Sequence, residues 1–465
     1  MPGFVSSKLC EINDQDWSRS ELRRIFIAMT TRTAPRRRPG RSSMPHRLAW
    51  IAGLPALLLG AAEASAQSQS SFSPEATARG VTVMTRQRPD FDPAGIRLSG
   101  VRLDAGLEGG VGYDSNLVPG TSNRRGGAFA EEALSLGAQS TWSRHALGLS
   151  ASQITRQYVQ DSNLNWNDWS IGAGGRYDIG RASNVRVRYD HVRSHIDVDN
   201  YDLQEGNSGR VPVPIDTDIV QVAGTAAFNR LELGSSAEYR RIRYQDVTVD
   251  GQRDTVSSND YNTMIGEFTA DYSLLPGRSV LGLVRLQDIS YERSEQRGRD
   301  SFTWEAQGGL RYDANGLVSV RVLVGYRNRN YEQPNQKSLS GPAFEGELSY
   351  AASQLTTITF AAQRSIEESI RQTSVSYTRT AARLRADHEL LRNVIVSAEL
   401  RAEQRKYPQQ GGKVGDGIAL VEGRYLLTRN LAVIGTYQHT ERLEAPEGVR
   451  EYGRDQVMLR LRMAL

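Results

Sequence analysis

Residues 301–329 read SFTWEAQGGLRYDANGLVSVRVLVGYRNR. In the first arm Phe302, Trp304, Ala306, Gly308, Leu310 and Tyr312 share one parity, with Glu305 and Arg311 on the other. After Asn315-Gly316, Val318, Val320, Val322, Val324 and Tyr326 oppose Arg321, Arg327 and Arg329. Successive side chains on a strand point to opposite faces, so each arm has an apolar face and a charged one. Asn-Gly is a favoured tight hairpin turn. The stretch is a β-hairpin whose charged face needs water, because guanidinium and carboxylate groups are costly to bury unpaired.

The same pattern runs through the rest of the chain. Alternation predicts strands over 101–113, 128–140, 145–158, 166–178, 184–197, 216–228, 231–247, 260–273, 279–292, 301–313, 317–330, 340–351, 355–368, 375–389, 394–407, 416–427, 431–443 and 452–465. The joints alternate in length. Short ones such as Ile179-Gly180-Arg181-Ala182-Ser183, Asn229-Arg230, Pro276-Gly277-Arg278 and Leu391-Arg392-Asn393 carry turn residues. The joints from Val198 to Ile215, Gln245 to Asn259 and Asn330 to Ser338 are longer, rich in Asp, Asn, Gln, Ser and Gly, and read as exposed loops.

Short turns at one end and long loops at the other are the signature of an all-β transmembrane antiparallel up-and-down barrel, here of about 18 strands, with the short turns in the periplasm. No stretch after Ala66 approaches the roughly 18 apolar residues of a membrane helix, and a sheet in lipid must close on itself. A soluble sandwich also alternates. The last strand argues against it: Val457, Leu459, Leu461, Met463 and Leu465 alternate with Gln456, Arg460 and Arg462, and the chain ends there. An amphipathic final strand of this kind resembles the one by which outer-membrane barrels engage the barrel-assembly machinery. Tyr113, Tyr158, Trp166, Trp169, Tyr177, Tyr244, Tyr291, Tyr331, Tyr407 and Tyr425 lie near strand ends and fit two interfacial girdles in contact with outer-membrane lipids.

Residues 44–66 form a secretory signal: Arg47, an apolar run from Leu48 to Ala62, and Ala64-Ser65-Ala66, with cleavage expected after Ala66. Residues 1–43 read as an extended or non-native leader, 67–95 as a periplasmic segment able to tuck into the lumen, and 96–465 as the barrel. The localisation expected is the bacterial outer membrane. Ten of the 57 basic and five of the 53 acidic residues precede Gln67, leaving 47 against 48. The basic balance of the whole chain is thus no argument for nucleic acid. Cys10, the sole cysteine, lies in the removed part.

No nucleotide loop or metal motif occurs, and no cofactor is expected. His191 and His195, four apart on a strand, stand about 13 Å apart, too far to share a metal. Ser194 beside His195 and Asp387 beside His388 point to opposite faces, which disfavours an enzyme. Asp114, Asp161, Asp197, Asp199, Asp202, Asp246 and Asp250 cluster in loops, where solvated charge is a better reading than calcium ligation. The candidates left are charges that the register turns into the lumen: Arg186, Arg188, Glu232, Arg240, Glu305, Arg321, Arg327, Glu345, Glu347, Arg383, Arg385, Glu399, Arg401, Arg460 and Arg462. They either tune passage or pair across strands to stiffen the wall, and pairing can do both.

RQRPDFDPAGIRLSG (86–100), VGYDSNLV (111–118), WSRHALGLSAS (142–152), DHELLRNVIVSAEL (387–400) and YLLTRNLAV (425–433) resemble the putative β-barrel porin 2 family. The resemblance covers most of 86–465. It implies an outer-membrane passage for a secreted exopolysaccharide cargo, working beside a periplasmic polysaccharide-export protein, and it carries over no catalytic residue. A general diffusion porin for small solutes and a structural or adhesive barrel stay open. An inward loop with a charged constriction would favour the porin, and sugar-stacking aromatics in the lumen would favour the polysaccharide.

Overall fold

The computed structural model describes residues 81–465 except 120–123, 205–210, 250, 315, 334–335, 372, 409–411 and 448. The expected leader (1–43) and signal segment (44–66), with residues 67–80, lie outside the described residues.

The strands are β1 (Ile96–Leu98), β2 (Val101–Asp114), β3 (Gly127–Ser140), β4 (Ala146–Tyr158), β5 (Trp166–Ile179), β6 (Ser183–Ile196), β7 (Val213–Phe228), β8 (Leu231–Tyr244), β9 (Val247–Val249), β10 (Gln252–Asp254), β11 (Tyr261–Leu275), β12 (Arg278–Tyr291), β13 (Ser301–Ala314), β14 (Val318–Tyr331), β15 (Leu339–Ser353), β16 (Thr356–Glu368), β17 (Ser376–Leu391), β18 (Val394–Tyr407), β19 (Gly412–Leu426), β20 (Leu431–Glu444) and β21 (Gly453–Ala464). Eighteen of them close an antiparallel barrel in simple up-and-down order. Closure pairs the first long strand with the last, from Gly106 opposite Ala464 to Asp114 opposite Gln456. Ile96–Leu98 folds back onto the start of β2, and β9 and β10 form a separate hairpin within a long loop.

The turn chemistry explains the tight end. Gly180, Gly277 and Gly316 hold φ near +70°, and Asn229 tolerates φ +53. His145 also sits in this left-handed region at φ +61. It is locked there because its N–H donates to Asp178 Oδ2 at 2.7 Å and its ring stacks on Tyr177.

Burial is inverted relative to a soluble protein. Exposed apolar side chains of the strands, among them Leu107, Val111, Ile171, Val187, Val324, Leu400 and Leu459, point outward, whereas Glu131, Glu305, Arg329, Glu399 and Arg460 are buried inside. Such an outer belt is stable in lipid, and the strands, mostly of 13 to 16 residues, exceed the roughly 9–11 residues a tilted strand needs to cross. Outward Tyr177, Tyr272, Tyr312, Tyr350 and Tyr425 line the short-turn end of the belt, and Tyr113, Tyr239, Trp304 and Tyr326 line the other.

Two expectations change. The strand expected to reach residue 247 stops at Tyr244, whose N–H is taken by Asp260 Oδ1 at 2.8 Å. Of the expected girdle residues, Tyr158, Tyr244, Tyr291 and Tyr407 are buried, and with Trp166 and Tyr331 they turn inward. They stand at the long-loop end on the inward parity, where Tyr291 bonds Glu368 of β16, Tyr331 meets Ser376 of β17, and Tyr407 bonds Asp202 of the loop after β6.

Candidate functional site: the barrel lumen

The register turns the expected charges inward, and most of them meet an opposite charge on the same strand, the next one or one farther round the wall. Arg285 binds Glu267 (2.9 Å), Glu305 (3.3 Å) and Glu345 (3.0 Å), and Arg327 closes on Glu305. Arg385 links Asp387 (2.8 Å) and Glu399 (3.2 Å), and Arg401 meets Glu399 from the other side. Arg460 bridges Glu108 (3.1 Å) and Glu422 (3.4 Å), and Arg462 stands 3.7 Å from Glu108. Arg188 pairs with Asp190, and Arg240 with Glu238. Arg186, Arg321, Glu347 and Arg383 join the same faces; Arg186 and Arg321 lie opposite Ala223 and Glu347 on the next strands, and Arg383 lies opposite Arg401. Glu232 lies at the short-turn mouth, exposed. Sequence reasoning put Arg329 on the charged face of its strand without naming it a candidate, and missed Arg285, Arg442 and Arg454, although each has the inward parity of its strand.

These charges do not line the bore evenly. On β13 and β14 the inward positions Gly309 and Gly325 have no side chain, and a Cβ at either would run into the backbone of the neighbouring strand. The wall can therefore bend sharply there. Leu281, Leu283 and Leu323 pack together across β13, and Arg285 on β12 reaches Glu345 on β15. On this side Thr303, Glu305, Gln307, Arg329, Glu345 and Ser349 are all buried. On the opposite side many mid-strand inward residues of β2 to β5 are small, with Gly106, Ser135, Gly148, Ser150, Ser170 and Gly174 among them, and Ser135 and Ser150, like Arg188 on β6, are open to the lumen water.

The long joint after β6 is not an exposed loop. Residues 197–204 turn into the lumen, and Val198, Tyr201 and Leu203 are buried. The Tyr201 carbonyl accepts from Arg371 (2.9 Å), and Asp202 accepts from Tyr407 (2.6 Å). Arg405 donates to Asn200 (3.0 Å), and Arg442 to Gln204 and to the Asp199 carbonyl (2.9 and 2.8 Å). Arg454 holds Asp114 (2.8 Å), Asp197 (3.1 Å) and Asp199 (3.2 Å). In the strand order β17 and β18 lie half-way round the barrel from β6 and β7. The segment thus crosses the bore at the long-loop end.

Its carboxylates are tuned by the crossing. Burial and the neighbouring Asp197 carboxylate push Asp199 up to about 6 against the pull of Arg454. Burial alone would raise Asp197 too, but Arg454 overrides it and holds Asp197 below the usual range. Burial raises Asp202, with the Tyr407 hydroxyl acting against it. The other loop carboxylates are bound to protein donors: Asp246 takes Arg253 and the Ser257 N–H, and Asp161 caps Asn163. No cluster of three or more metal-ligating side chains occurs among the described residues. Asp250 lies outside them.

Two other loops fold in beside it. Leu203, Val256 and the partly buried Ile370 pack against inward Ile215, Ile242, Tyr244, Tyr261, Ile289 and Tyr291. Tyr201, Tyr377 and Tyr407 cluster on the far wall. At the short-turn end the segment before β1 also enters the mouth: the Val83 N–H donates to Thr357 (2.9 Å), and Arg88 donates to Glu389 (2.7 Å) and to the Val83 carbonyl (2.7 Å).

The histidines serve locally. His191 bonds Asp218 (2.8 Å) on the outer face, while His195 is buried against Asp168 (2.9 Å) and stacks on Trp166. His388 points outward to Thr356 (2.9 Å), while Asp387 points inward to Arg385.

A closed barrel with an apolar belt outside and charged, hydrated walls inside is an outer-membrane porin-like channel. More particularly, the chain belongs to the family described as "Putative beta-barrel porin 2", which matches residues 88–465, as the sequence motifs implied. No curated protein matches it. Among solved structures it is similar to OccAB3 of Acinetobacter baumannii, at 10% identity and TM-score 0.43 over 79% of this chain and 100% of that one. It is also similar to OccK2 of Pseudomonas aeruginosa in complex with glucuronate, at 11% identity and TM-score 0.43 over 78% and 98%.

Proposed function

We propose that this protein is a constricted diffusion channel for small solutes across the outer membrane. The observation that carries the reading is the segment 197–204, which crosses the bore and is held by Arg405 on the far wall, by Arg371 in the joint between β16 and β17, and by Arg442 and Arg454 on β20 and β21. A chain of sugar units needs a continuous wide passage, whereas a small solute needs only the water beside the segment. Porin selectivity arises from narrowing and charge at such a place.

A second reading, passage of an exopolysaccharide, draws support from the inward aromatics Tyr201, Tyr377 and Tyr407 at the long-loop end, since aromatic faces stack on sugars. In that case residues 197–204 are a gate that a periplasmic polysaccharide-export partner opens, and the tyrosines are the surface it uncovers. Export through a signal cleaved after Ala66, with assembly through the β21 strand, belongs to both readings.

The purified protein in a planar bilayer separates them. The diffusion channel gives steady conductance that rises when residues 199–204 are removed, and deleting the gene slows small-solute uptake while secreted polysaccharide is unchanged. Loss of secreted polysaccharide with unaltered uptake refutes the diffusion reading.

A further inference from the structure

The inward carboxylates and guanidiniums nearly balance, so the wall's net charge says little about what passes. Their depth differs. In the middle and short-turn parts of the bore the guanidinium is the more water-facing member of most pairs, Arg460 over Glu108 and Glu422 and Arg240 beside Glu238 being covered instead. The Arg188 side chain is 62% exposed over Asp190 at 12%. Arg462 is 37% exposed over Glu108 at 16%, Arg401 30% over Glu399 at 2%, and Arg311 29% over Asp271 at 15%. These four come from β6, β21, β18 and β13, and so are spread around the bore.

The cause lies in side-chain length. Asp and Glu are shorter than Arg, so on a concave wall the carboxylate stays near the backbone while the guanidinium lies over it toward the axis. At the long-loop end the order reverses, with Arg454 covered and Asp197 and Asp199 more exposed. Glu232 is an exposed carboxylate in the lower bore, at its mouth. Field falls off with distance and with the water between, so a passing ion senses the outer member of a pair more strongly than the inner one.

We infer that the lower bore favours small anions over cations, and that Arg188, Arg311, Arg401 and Arg462 are the residues that set this preference. The buried partner of each pair keeps its arginine in place without cancelling the field at the axis. The inference rests on the channel reading proposed above.

The test is the reversal potential of the full-length protein in planar bilayers under a potassium chloride gradient, for the wild type and for a variant lacking residues 199–204. Chloride is expected to permeate more readily than potassium in both. Arg188→Gln with Arg462→Gln is expected to bring the two permeabilities together, and Arg188→Glu with Arg462→Glu to invert their order, with heat-modifiable migration checking that each barrel folds. Conduction that favours potassium in the wild type, or a chloride preference untouched by either double variant, overturns the inference and leaves the channel reading standing. Absence of conductance in the wild type and the shortened variant alike overturns the channel reading itself.

Discussion

The mid-strand inner faces of β2–β5 and of β12–β15 have the same strand geometry and opposite interiors. The first is rich in Gly and Ser and left to water; the second carries Leu281, Leu283, Leu323, Glu305, Arg327 and Arg329 packed into a buried layer. Side-chain size separates them. Where Gly309 and Gly325 let neighbouring backbones come close, long side chains from non-adjacent strands, Arg285 and Glu345 among them, meet and bury one another. Where the inward residues are small, they have nothing to cover them. A barrel can therefore carry its rigid part and its passage on opposite sides of one sheet.

Substitution at the bend is expected to have the largest effect. Gly309→Val puts side-chain atoms into the β14 backbone and is expected to exceed the roughly 1–3 kcal/mol of ordinary overpacking. Loss of the compact, heat-modifiable band checks this, and a normal band would show that the bend is not fixed by the glycines. Next, Glu305→Ala leaves Arg285 and Arg327 without their shared buried partner. A loss of about 3–5 kcal/mol is expected, read from the denaturant midpoint of refolding into detergent.

The inward segment gives a smaller, pH-dependent effect. Asp199 has its proton affinity raised by the crossing, to about 6. Between its ordinary value and that one the docked segment binds more protons than the released one, so docking strengthens as pH falls from about 6 toward the ordinary value and is unchanged by this group above about 6. Asp197 is shifted the other way and titrates below this window. Conductance is expected to be lower at pH 5 than at pH 7.5, and Asp199→Asn is expected to remove that difference.

The smallest effects belong to the open wall. A Cβ at Gly148 would meet only the Ala138 carbonyl oxygen, at 3.9 Å, so Gly148→Ala is expected to change stability by less than about 0.5 kcal/mol. Asp190→Asn, beside the exposed Arg188, is expected to cost at most about 1 kcal/mol. A large loss at either site would erase the contrast between the two walls.

Most of the frame was legible in sequence. The eighteen long strands fall within a few residues of the alternation, since side-chain parity is local and a one-residue slip would put Arg321 or Glu399 in lipid. The inward placement of the fifteen expected charges follows from the same parity. The tyrosines were harder. Tyr113 and Tyr158 both sit near strand ends, and only their parity and the loops above them decide that one meets lipid and the other is buried inside.

The sequence by itself determined the strands, their two faces, the short-turn end and the closing strand, because each rests on periodicity or on turn residues within a few positions. The tertiary structure alone decided which wall is packed, which is open, and that residues 197–204 cross the bore. Those outcomes depend on partners such as Arg371, Arg405 and Arg454, 170 to 257 residues away in sequence, and no local pattern encodes which distant guanidinium a loop carboxylate will meet.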